Sequence, residues 1–256
     1  MASRRFALHE MLAMNRLTCR TNWLRSRRDC FNSVRLALLV FLPACGGAVA
    51  QAGLAVERSA ENLMVVLRES IGDNKQEEVL KFMGRMRTKL PDGREIDVES
   101  AAFLLLGDMH IRFVFDGPSY MPNAKPQDLA RLGLSPDQAL QLAVGNIKRV
   151  YGNPVVEPFV AGLMQVRGAS PDFNSSYFLD RDFWRGLLRQ HPEGIVAAVP
   201  KRGGLVFTPL SDRKSVDGLR RRGAYLYSSS ADMRVSSALY LFKDDRWTVF
   251  QPPQAH

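Results

Sequence analysis

The sequence predicts an α+β fold: one compact domain over residues 51–256, built from a mixed or antiparallel sheet with flanking helices and preceded by a leader at 1–50. Three observations predict it. The composition, 46% hydrophobic and 24% charged over 256 residues, suits a globular chain with a sizeable core. Segments with strand and helix patterning alternate after residue 59. The connections between them carry neither glycine fingerprints nor the long crossovers that parallel strands need.

The leader is read from the run "LALLVFLPACGGAVAQAG", Leu36 to Gly53. An arginine-rich segment precedes it, and small residues ending Ala48-Val49-Ala50 follow it, which is the order of a secretory signal. The apolar stretch falls short of the ~20 residues that a membrane-spanning helix requires, and Pro43, Gly46 and Gly47 interrupt it. Cleavage before Gln51 is therefore expected, giving a periplasmic or secreted protein. The alternative is a bacterial lipoprotein: Leu42-Pro43-Ala44-Cys45-Gly46 is similar to a lipobox, with Cys45 as the lipidated residue, although proline is atypical in its second position. All three cysteines, Cys19, Cys30 and Cys45, precede the expected cut, so a chain starting at Gln51 has no disulfide and no thiolate nucleophile.

From Ser59, "SAENLMVVLRESIG" places Leu63, Val66, Leu67 and Ile71 at helical spacing, and "KQEEVLKFMGRM" extends a helical reading through Val79, Leu80, Phe82 and Met83. Leu90 to Gly93, "LPDG", is a turn. "HIRFVFDG" alternates Ile111, Phe113 and Phe115 against Arg112 and Val114, a strand with two different faces. The best-marked helix follows, with Ser135 as cap, Pro136 in its first position, Gln138 completing a capping box and Gly152 ending it. Its apolar stripe is Leu140, Ala143, Ile147 and Val150.

"PFVAGLMQVRG" reads as a strand. In "PDFNSSYFLDRDFW" a polar loop, then a strand, lead into a helix capped by Asp180 with Phe183 and Trp184 in the core. "IVAAVP" and "LVFTPL" are strands joined by the turn "KRGG"; "SVDGLRRRGAYLY" is a helix; and "ALYLFKDDRWTVF" is a hairpin turning at Asp244-Asp245. Five blocks, "DMHIRFVFDGP", "PQDLARLGLSPDQALQLAVGNIKRVYG", "SSYFLDRDFWRGLL", "IVAAVPKRGGLVF" and "SSALYLFKDDRWTVF", resemble in this order the YtpQ-like family of uncharacterised bacterial proteins. The resemblance covers Asp108 to Phe250 and implies a bacterial domain of unknown activity with no catalytic residues to carry over. The chain departs from that family at Pro200-Lys201-Arg202-Gly203-Gly204, where the family has a Pro-Ser-Arg-Asp-type turn, and in its leader.

Charge argues against a polyanion partner. The net charge is +9, but residues 1–50 hold eight arginines against two acids, leaving 27 of the 35 bases against 24 of the 26 acids, about +3. No nucleic-acid partner is expected. After the leader only His110, His191 and His256 remain, each expected to be exposed or at a helix end, and no metal-ligand spacing or cofactor fingerprint is present.

The densest polar-aromatic segment, Pro171 to Trp184, offers Asp172, Asn174, Ser175, Ser176, Asp180 and Asp182 over Phe173, Tyr177 and Trp184, and paired carboxylates in a groove can divide into acid and base. Ser211-x-x-Lys214 matches a serine-acylase pattern but lacks its partner motifs, so Ser211 or Ser215 reads rather as an ordinary helix cap. Lys201 and Arg202, with Arg220 to Arg222, are an anion-binding candidate or two solvated basic patches.

Three functional classes follow. The favoured one is a non-catalytic exported module binding an envelope protein or small ligand, through candidates Asp172, Asn174, Tyr177, Lys201 and Arg202. A hydrolase requires Asp180, Asp182 and Ser211 to meet in one cleft. A lipid-anchored or peripheral envelope factor requires lipid on Cys45 and one basic face joining Lys201, Arg202 and Arg220 to Arg222.

Overall fold

The computed structural model describes residues 55–89 and 92–254. The leader, Cys45 and the first half of the "LPDG" turn lie outside the described residues. Residues 52–256 form one unit. Its first strands are β1 (Leu63–Glu69), β2 (Lys81–Phe82), β3 (Arg85–Lys89), β4 (Glu95–Glu99), β5 (Ala102–Leu106) and β6 (Met109–Phe115). Helices α1 (Pro126–Arg131) and α2 (Pro136–Tyr151) follow, then β7 (Val155–Pro158), β8 (Met164–Arg167) and a 3-10 helix over Pro171–Leu179. The chain continues through α3 (Arg181–Leu188), β9 (Ile195–Lys201), β10 (Gly204–Pro209), α4 (Arg213–Ser228), β11 (Leu239–Lys243) and β12 (Arg246–Gln251). One sheet has the order β1-β6-β5-β2, a second β12-β11-β9-β10-β8-β7, and β3 pairs with β4. Every strand pair is antiparallel, and the fold is α+β.

The two expected helices between Ser59 and Met86 are not formed. Leu63 to Leu67 are all buried, so this stretch has two covered faces rather than one stripe, and it pairs with β6 along its whole length as β1. A continuous apolar run carries no helical preference over a doubly buried strand, and Val65-Val66 favour the strand. Beyond it, Val79 and Phe82 are exposed, because the chain runs irregularly into β2 and β3. "PFVAGLMQVRG" is not one strand either. It folds back on itself as the hairpin β7-β8, turning through Ala161 and Gly162, both at positive φ.

The helix α2 carries its capping box: Ser135 Oγ accepts from Gln138 N at 3.3 Å while Gln138 Oε1 accepts from Ser135 N at 2.9 Å. It buries Ala139, Ala143, Val144, Asn146 and Ile147, and Val150 falls outside the stripe, exposed. Asn146 Nδ2 explains the rotation, donating to Ala60 O at 2.7 Å and Leu63 O at 2.9 Å and so fastening α2 to β1.

The larger core joins both sheets through the 3-10 helix and Trp184 of α3. Trp184 Nε1 donates to Tyr177 O at 3.0 Å and Trp247 Nε1 to Phe178 O at 3.2 Å, so both buried indoles are satisfied. A smaller core lies on the other face of the second sheet, where Val216 and Leu219 of α4 meet Val196, Ala198, Val206 and Leu239. The closing hairpin turns at Asp244 and Asp245, both at positive φ as a two-residue primed turn requires.

Candidate functional site

A cleft of about 560 Å³ opens between α2 and α3, within the usual range for a ligand pocket. Its apolar part includes Leu80, Leu140, Val144 and Leu179; its charged part is Glu78, Asp137, Lys148, Asp180, Arg181, Asp182 and Arg185. Position follows from local folding. Asp180 ends the 3-10 helix and caps α3, accepting from Phe183 N at 3.4 Å, which holds its carboxylate over the last turns of α2. There Lys148 Nζ donates to Asp180 Oδ1 at 3.1 Å, and the Asp180 side chain is 3% exposed.

Two of the other acids, Glu78 and Asp182, are also engaged. Arg181 pairs with Glu78 at 2.6 Å, and Glu78 Oε2 accepts from Trp247 N at 2.8 Å. Burial raises the Glu78 pKa, while the Trp247 amide and Arg181 pull it back. Arg185 donates to Asp182 at 3.0 Å and makes two bonds of 2.7 Å to Asp245, clamping α3 onto the closing hairpin. Asp182 keeps 77% of its side chain exposed.

Asp180 and Asp182 thus share the cleft, and Ser211 does not join them. It is exposed, at the start of α4 on the opposite face of the second sheet from Trp184 and α3. Lys214 is exposed beside it, and neither Ser211 nor Ser215 caps the helix. Asp212 does, accepting from Ser215 N at 3.0 Å and Ser215 Oγ at 2.7 Å, and these bonds lower its pKa.

The remaining candidates stand elsewhere. Pro171–Leu179 form a 3-10 helix instead of a loop and strand, and Phe173, Tyr177 and Trp184 are buried and do not line the cleft. Asn174 is structural, with Oδ1 accepting from Gly168 N at 2.8 Å and Nδ2 donating to Gly203 O at 3.5 Å. Tyr177 OH donates to Gly152 O at 2.8 Å. Lys201 ends β9, and Arg202 follows it in the β9-β10 turn, its N–H donating to Met233 O at 2.8 Å. Arg220 binds Gln251 at 2.6 Å, whereas Arg222 stacks over Phe159 and Tyr225.

His110 is not exposed. It lies on β6, 4% exposed, and burial first, then Arg112 and Arg68, lower its pKa to about 4. Sequence patterning missed Glu78, Lys148, Arg181 and Arg185 as cleft residues because their meeting depends on how α2, α3 and the loop before β2 pack. Among the described residues no group of three or more His, Cys, Asp or Glu is placed to hold a metal, and no helix is long and apolar enough to cross a membrane. No protein-family model, curated protein or solved structure matches this chain.

Proposed function

We propose that residues 51–256 are an exported, non-catalytic binding module whose cleft between α2 and α3 takes a small ligand or a side chain of an envelope partner. One observation carries this reading: Glu78, Asp180 and Asp182 are each held by a cation, while Leu140 and Leu179 on the apolar wall remain partly exposed. A carboxylate bonded to lysine or arginine has its negative charge and part of its lone-pair capacity engaged, which weakens it as a general base. A ligand with an apolar body and a polar end fits the same walls.

The export part rests on the order of basic, apolar and small residues in 1–50 and on the absence of cysteine after Cys45. The resemblance to the YtpQ-like family belongs to the same proposal and supplies its bacterial setting. The hydrolase reading is favoured by one fact alone, that Asp180 and Asp182 line one cleft.

Gly145 provides the test. It lines the cleft from α2, and a Cβ added there meets nothing within 4 Å. Gly145→Leu is expected to keep the fold and fill the cleft, abolishing thermal stabilisation by hits from a small-molecule library. Retained stabilisation in Gly145→Leu overturns the proposed cleft. Turnover in an ester, peptide and glycoside panel, abolished by Asp182→Asn, establishes the hydrolase instead.

A further inference from the structure

We propose that the tip of the β7-β8 hairpin and the flank of α4 beside it form a docking face for a membrane surface of anionic phospholipid, on the opposite side of the second sheet from α3 and independent of the α2-α3 cleft. Local folding builds the tip. Phe159 and Leu163 pack into the smaller core with Val216 and Leu219, and Phe159 N donates to Leu163 O at 2.7 Å, which closes the turn. Val160, Ala161 and Gly162 between them are uncharged and exposed, Val160 to 47%. The tip rests against α4: a Cβ added to Gly162 would lie 3.0 Å from Ser215 Oγ. One residue before the tip, the Phe159 ring lies 5.7 Å from the Arg222 guanidinium, which is also 5.2 Å from the Tyr225 ring.

The helix supplies the charge. Successive residues of a helix advance about 100° around its axis, so Lys214, Gly218, Arg221 and Tyr225 share one stripe, and Ser215 and Arg222 lie beside it toward the hairpin. Lys214, Arg221 and Tyr225 are exposed, the tyrosine to 60%. The nearby acids are already engaged. Asp217, the one acid within α4, is bonded at 2.6 Å to Arg220, which reaches the other way to Gln251 of β12. Asp212 accepts from Ser215, and Glu157 of β7 from Gln165 and Arg167. Lys214, Arg221 and Arg222 form no ion pair among the described residues. Three cations without a counterion thus flank an uncharged, projecting tip. A lipid interface matches both features at once, taking Val160 and Ala161 between the headgroups, the cations at the phosphates and Tyr225 at the polar boundary. An acidic protein would engage the cations and leave the exposed valine unmatched.

Sedimentation of residues 51–256, which contain both hydrophobic cores, with vesicles of phosphatidylglycerol and phosphatidylcholine in equal parts tests the face. The salt is held at about 0.1 M, where charges more than roughly 10 Å from the lipid are screened. Binding is expected, and none to vesicles of phosphatidylcholine alone. A lysine or arginine at an anionic surface strengthens partitioning about fivefold. Lys214→Gln and Arg221→Gln should therefore each weaken binding by about that factor, with Tm unchanged because both side chains are exposed. Arg189→Gln removes the same charge at the end of α3, on the far side of the second sheet, and should leave binding as it was. Val160→Asp should weaken it about tenfold, since the tip then loses its apolar contact with the acyl boundary. The proposal is overturned if the mixed vesicles do not bind, or if Arg189→Gln weakens binding as much as Arg221→Gln does. Binding that is indifferent to Val160→Asp, with equal capture of soluble polyglutamate, overturns it in favour of an acidic protein partner.

Discussion

Acid should destabilise this domain through His110 in a way that one substitution removes. The folded-state pKa is about 4, against an ordinary value of 6.5, with burial the first cause and the Arg112 and Arg68 charges next. The folded state therefore holds the ring neutral where the unfolded chain would protonate it. Stability from this group is complete above about pH 6.5 and falls as pH drops toward 4, because the unfolded state gains its proton first. At pH 4.5 linkage gives a loss of about 2.5 kcal/mol relative to pH 7 for this residue alone. Urea denaturation at the two pH values, for the parent and for His110→Gln, isolates the term from the carboxylates that titrate in both proteins. The parent should lose about 2.5 kcal/mol more than the variant. An equal loss in the two proteins refutes the reasoning.

Three further outcomes follow from the same packing. Gly145→Ala should stabilise the domain by roughly 0.5–1 kcal/mol in thermal unfolding, since Gly145 lies within α2, where its backbone freedom weakens the helix and a methyl group has open space. Asp108→Asn should cost about 3 kcal/mol in chemical denaturation: the buried carboxylate ties the β5-β6 turn to the second sheet, accepting from Ser237 N at 3.0 Å, Ser237 Oγ at 3.1 Å and Tyr240 OH at 3.1 Å, and an amide cannot accept them all. Intact mass of protein extracted from the bacterial envelope should correspond to a chain beginning at Gln51; an acylated Cys45 transfers the proposal to the lipid-anchored form, and an uncut amino terminus contradicts export.

What the sequence made legible was local. The Ser135 capping box, the proline after it and the Asp180 cap are satisfied by atoms three residues away, so they survive any tertiary arrangement. The Asp244-Asp245 turn and the "KRGG" connection are equally local. The misreading of Leu63 to Leu67 has a tertiary cause, because five consecutive apolar residues suit any element that is covered on both faces, and only pairing with β6 decides for a strand.

The candidate sites divide the same way. Asp180 and Asp182 were readable as a pair, and Arg185 is a local partner three residues after Asp182 on α3, whereas Lys148 stands on α2 and comes into range of Asp180 only after docking. Arg112 was visible as the polar member of an alternating strand. Its neighbour Arg68, 44 positions away in the sequence and diagonally across the β1-β6 pair, was not, since cross-strand register brings them together.

The most direct test of the binding-module account is an amide chemical-shift map of the isotopically labelled protein titrated with a fragment library containing amphipathic carboxylates and amines. The account predicts saturable shifts concentrated at Val144, Lys148, Asp180 and Asp182, lost in Gly145→Leu. Shifts that are absent at millimolar concentration, or that persist unchanged in Gly145→Leu, contradict it.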